Sequence, residues 1–133
     1  MQYVCDWLDK QKTILLVKVL SEWTWDDAYS ALTDHLNLLE SVTHDVYSIY
    51  DLSAAPKHPT GLTIPHLKYA MSTQRPNQKL TFFVGLSFEL QMLFRVTQQA
   101  FQLGAIFRTY RFANTLDEAL RMIDAHKLAQ HIP

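Results

Sequence analysis

The amino-acid sequence predicts an α/β domain with a mostly parallel five-stranded sheet, an N-terminal antiparallel strand and four helices. Three observations carry that expectation. Short stretches rich in strand formers alternate with stretches whose apolar residues recur at helical spacing. Ile14-Leu15-Leu16-Val17 is apolar on both faces, as a central strand covered by helices is. After the opening strands, a helical segment separates each strand from the next, and that alternation implies parallel crossovers.

Residues 3–8 and 13–20 form the first two strands, and the polar connection Asp9-Lys10-Gln11-Lys12 has hairpin length. Thr24 caps the first helix. Asp27, three residues on, completes a Thr-x-x-Asp box, and Asp26 and Asp27 suit the positive end of the helix dipole. Ala28, Leu32, Leu36 and Leu39 form its inward stripe. Residues 46–52 (VYSIYDL) are a third strand. Residues 53–63 are irregular, punctuated by Pro56, Pro59 and Gly61. A short helix over 64–74 turns Leu67, Ala70 and Met71 inward, and Arg75-Pro76-Asn77 stops it.

Residues 80–85 (LTFFVG) are a central strand. Ser87 caps a long helix that Gly104 ends. Residues 107–112 (FRTYRF) alternate as a half-exposed strand does. Thr115-Leu116-Asp117-Glu118 is a capping box that opens the last helix, with Leu116, Ala119, Leu120 and Ile123 on one face. Residues 126–133 read as a frayed tail. The whole chain, 1–133, is one domain, long enough to bury a core.

Composition narrows the function classes. Nearly half the residues are apolar, which excludes a disordered chain. Cys5 is the only cysteine, so no intramolecular disulfide forms, and a reducing, cytoplasmic compartment is expected. No signal peptide and no membrane span is expected, because the apolar runs are far shorter than ~20 residues. Residues 1–60 carry nine acids and four bases, and residues 61–133 four acids and eight bases. The bases stand singly, with no run that grips a phosphate backbone, so nucleic acid is not an expected partner.

Three stretches carry a family likeness: the helix start Thr24-Trp25-Asp26-Asp27, the strand end Tyr50-Asp51-Leu52-Ser53, and Tyr110-Arg111-Phe112 followed by Leu116-Asp117-Glu118-Ala119-Leu120. With the element order, they resemble the STAS-like family of bacterial anti-sigma-factor antagonists. The likeness is strongest to an uncharacterised bacterial branch distantly related to lipid-transfer domains. The resemblance implies binding of protein or small ligand and no particular reaction. It also aligns Thr60, before Gly61-Leu62, with the serine phosphorylated in the antagonists. His58 and Pro59 depart from that motif, so Thr60 is not expected to be a regulated phosphosite.

Candidate chemistry is sparse. Gly85-Leu86-Ser87-Phe88-Glu89 approaches a nucleophile elbow, but Glu89 replaces the second Gly, and Ser87 reads as a helix cap. The six histidines show no metal-ligand spacing, so no metal is expected; His35, beside the apolar stripe, reads as packed and hydrogen-bonded. The three glycines fit no dinucleotide or phosphate loop, and no cofactor is expected. Asp51, at the carboxyl end of a central strand, and Ser53 beside it stand where open α/β sheets place ligands. Trp23 and Trp25 flank the helix cap. Trp23 is expected to pack back as a staple, and either ring is a candidate contact for a ligand or partner.

The third helix carries an inward stripe of Leu90, Leu93, Phe94, Thr97, Ala100 and Phe101. Phe88, Met92, Val96, Gln99 and Leu103 line up on another face, which a homodimer, another protein, or the rest of this chain would cover. The leading expectation is a non-catalytic protein-interaction or regulatory module. A carrier of an apolar small molecule or lipid is the alternative. An esterase-like hydrolase rests on Ser87 alone.

Overall fold

The computed structural model describes residues 3–61 and 63–130. Along the chain run β1 (Tyr3–Trp7), β2 (Ile14–Val19), α1 (Trp25–Glu40), β3 (Val46–Asp51), α2 (Thr63–Ser72), β4 (Gln78–Val84), α3 (Phe88–Ala100), α4 (Gly104–Phe107), β5 (Tyr110–Ala113) and α5 (Leu116–Gln130). The strands lie in the order β1-β2-β3-β4-β5. β1 is antiparallel to β2, and every other pair is parallel.

That order dictates where the helices go. Each parallel crossover steps to the next strand in the same direction. Right-handed crossovers stepping one way lay all their helices on one face. Accordingly α1, α2 and α3 share a face. There Leu15 packs with Leu36 and Leu39 of α1, while Leu52 packs with Leu67, Met71, Leu90 and Phe94 of α2 and α3. α5 follows the last strand and crosses no further pair. It covers the opposite face, where Ala119 and Ile123 meet Tyr47, Ile49, Phe82 and Val84.

Local chemistry sets the helix ends. The Thr24 hydroxyl accepts from the Asp27 amide at 3.2 Å, and the Asp27 carboxylate accepts from the Thr24 amide at 2.9 Å. The Ser87 hydroxyl accepts from the Leu90 amide at 3.2 Å. At α5 the Thr115 hydroxyl accepts from the Glu118 amide, but the Glu118 carboxylate reaches back to the amide of Asn114 rather than of Thr115.

Three expectations need correction. Gly104 does not terminate α3; it begins α4, so the described residues form five helices and not four. The stop comes earlier, where Gln102 adopts a left-handed φ of 57° and the Leu103 amide donates to the Gln98 carbonyl at 2.8 Å. Phe107 therefore belongs to a helical turn, and β5 begins only at Tyr110. α5 is helical through Gln130, so the tail expected from residue 126 is ordered that far; residues 131–133 lie outside the described residues. No helix among the described residues is long and apolar enough to cross a membrane.

Candidate functional site

Three helices crowd one face of the sheet without filling it. Between α1, α2 and the strands lies a partly enclosed cavity of about 130 Å³. Its floor follows one row of the sheet, because Val17, Tyr50 and Phe83 sit opposite one another in register. The Tyr50 and Phe83 rings stack at 5.6 Å and 17°. Leu86, Leu90, Phe94 and Tyr110 close the far side. The helices contribute alanines at the critical places: Ala28 and Ala31 from α1, and Ala70 from α2. Small side chains there leave the space open.

His35 lines the cavity from α1 and is 1 % exposed. Its Nε2 lies 2.6 Å from the Ser48 hydroxyl and its Nδ1 lies 2.7 Å from the Tyr50 hydroxyl. A neutral imidazole has one donor and one acceptor, so both ring nitrogens are satisfied. Burial pushes the His35 pKa down to about 4, and the ring is neutral at pH 7. Burial likewise raises the Tyr50 and Tyr110 phenols, which stay protonated. Gln74 Nε2 lies 3.4 Å from the Tyr110 hydroxyl. No Asp, Glu, Lys or Arg among the described residues lines the cavity.

An aromatic clasp joins α1 to α2 along one wall. The His66 ring of α2 stacks on Trp25 at 4.5 Å, and its Nδ1 is hydrogen-bonded to the Tyr29 hydroxyl. Trp23 meets Trp25 edge to face at 5.3 Å, and its indole N–H donates to the Ala55 carbonyl at 3.2 Å. Trp23 is thereby tied to the irregular loop after β3. The indole nitrogen of Trp25 is buried and has no partner among the described residues.

The other predicted site residues lie apart from this cavity. The strand order never reverses, so the sheet has no switch-point crevice of the kind that would place Asp51 against a ligand. Asp51 is buried, and its carboxylate accepts from the Ser53 amide at 3.0 Å and from the Ser53 hydroxyl at 2.6 Å. Those bonds shape the turn out of β3. Thr60 is exposed in the loop, and Leu62 lies outside the described residues.

On α3, Phe88, Met92, Val96 and Gln99 are exposed while Leu90, Phe94 and Thr97 are buried. Leu103 departs from that outer stripe and packs against the core beside Leu90 and Phe94. From the expected inward stripe, Ala100 and Phe101 are exposed instead. No three His, Cys, Asp or Glu side chains among the described residues converge as metal ligands.

Trp23 and Trp25 are legible as candidate contacts in the sequence, but the cavity they border is not. Ala31 and Ala70 were the available signal, as small residues at inward helical positions. The chain matches no family model, no curated protein and no solved structure.

Proposed function

We propose that this domain is a non-catalytic module that binds a small apolar molecule between α1, α2 and the sheet. The observation that supports this reading is the cavity itself. The space is partly enclosed and walled mainly by apolar side chains, so leaving about 130 Å³ of it without apolar contacts has a cost. A larger side chain at Ala28, Ala31 or Ala70 would remove much of that cost. A bound molecule offsets it in another way.

Catalysis has little support at this place. The Ser48 hydroxyl is fully buried and is not among the residues that line the cavity. Ser87 holds a helix end. The STAS-like resemblance likewise favours binding over reaction. The test is protein-observed NMR with a fragment set that includes neutral, anionic and cationic members. The reading predicts saturable shifts at the amides of Tyr50, Leu67 and Phe83. A set that leaves those amides unmoved removes it.

The outer face of α3 favours a second reading, a protein-interaction module. Phe88 is 77 % exposed and continues into Met92 and Val96. We infer that this stripe meets a second copy of the chain, since two-fold pairing is the commonest outcome for soluble oligomers. The two readings involve different faces and are compatible.

A further inference from the structure

We infer that the cavity selects an uncharged molecule of the bulk of one aromatic ring and rejects carboxylates, phosphates and amines; this rests on the cavity being the binding site. Size is the first argument. A cavity of 130 Å³ is close to the roughly 150 Å³ apolar void that accommodates benzene in another protein, and far below the volume of a two-chain lipid. The lipid half of the carrier expectation is therefore set aside.

Charge is the second argument. No Asp, Glu, Lys or Arg among the described residues lines the space, and His35 already has both nitrogens bonded to Ser48 and Tyr50. A carboxylate or ammonium brought inside would lose its water and find no Asp, Glu, Lys or Arg to pair with, only neutral donors and acceptors such as Gln74, Gln78 and Thr81 and the His66 ring, whose Nδ1 is already bonded to Tyr29. Shape is the third. Tyr50 and Phe83 present stacked rings, with Phe94 tilted against Phe83 at 4.9 Å. An aromatic lining of that kind suits an aromatic guest packed offset or edge to face against it.

The experiment titrates the isotope-labelled full chain with toluene, benzoate and octanoate in parallel. Toluene should produce saturable shifts at the Tyr50, Leu67 and Phe83 amides, and benzoate and octanoate should bind at least about tenfold more weakly. An Ala70→Leu variant should stay folded and lose the toluene response; if it does not fold, Ala28→Leu is read instead. Benzoate or octanoate binding as tightly as toluene at those amides overturns the ligand class and leaves the cavity reading standing. If toluene, benzoate, octanoate and xenon gas all leave those amides unmoved, both ideas fall. A toluene response that persists in a folded filled variant places the guest elsewhere, and the inference fails.

Discussion

The Tyr50 hydroxyl lies 2.7 Å from Nδ1 of His35, and the other nitrogen of the same ring lies 2.6 Å from the Ser48 hydroxyl. One imidazole, itself 1 % exposed, thus ties α1 to two positions of β3. Burial favours the neutral ring: both hydroxyls could accept from a protonated imidazole, but its charge would be buried.

Stability should therefore fall in mild acid. Burial lowers the folded-state pKa of His35 from 6.5 to about 4. Between those values the unfolded chain binds more protons than the folded one, so stability rises with pH. The contribution is complete above the unfolded value and is lost as pH falls toward the folded one, a total of roughly 3 kcal/mol. Urea melts of wild type and His35→Gln across that range isolate it from the other histidines. The gap between the two proteins should narrow as pH drops, and a constant gap would sink the idea.

Gly85 should be the least replaceable glycine among those at positive φ. It holds φ at +73°, and a Cβ there would sit 2.7 Å from Ser53 Cα and 2.8 Å from Ser53 Oγ. Gly61 holds φ at +114° with nothing within 4 Å of such a Cβ. Gly61→Ala should cost about 1 kcal/mol from backbone strain alone. Gly85→Ala adds a backbone clash and should cost at least about 2 kcal/mol. Equal losses in denaturant melts would show that the close approach to Ser53 relaxes freely.

Much of the fold is legible because it rests on local chemistry. Thr24 with Asp27, and Ser87, announce helix starts through side chains that the backbone needs there. Alternating strands and helices announce the parallel sheet. Gly104 misled because glycine so often ends a helix; here Gln102 takes the left-handed conformation instead. The cavity was not legible, since a void is defined by side chains distant in sequence. Ala31 and Ala70 become neighbours of one space only after α1 and α2 are laid on the same face, and nothing local pairs Trp25 with His66. Asp51 reads from the sequence either as a ligand contact or as an acceptor for loop amides that shapes the turn, and its bonds to the Ser53 amide and hydroxyl are of the second kind.

Ser87 should behave as a cap and not as a nucleophile. Its hydroxyl accepts from the Leu90 amide, which otherwise has no helical partner. Ser87→Ala should cost about 1 kcal/mol in a thermal or urea melt. A fluorophosphonate probe should leave wild type unlabelled at this position. Stoichiometric labelling would reopen the hydrolase reading.

Sedimentation tests the outer face of α3. Phe88, Met92 and Val96 are 77 %, 41 % and 44 % exposed, and no other part of the described chain covers them. The helix already buries Leu90, Phe94 and Thr97, so the outer stripe is not needed for the fold. Leu103 drops out because the chain leaves the helix at Phe101 and turns through Gln102, carrying Leu103 back to the core. Phe88, Met92, Val96 and Gln99 are four exposed side chains, against the roughly 20–30 residues that each partner contributes to a standard interface. Pairing through it should be weak, with the wild-type dimer dissociating in the micromolar range. Charges at Met92 and Val96 would stand in water in the monomer and meet like charges across a two-fold contact. A Met92→Glu, Val96→Glu variant should therefore keep the wild-type melting behaviour and sediment as a monomer. A wild type that is already monomeric at tens of micromolar, or a variant that unfolds, would refute pairing through this face.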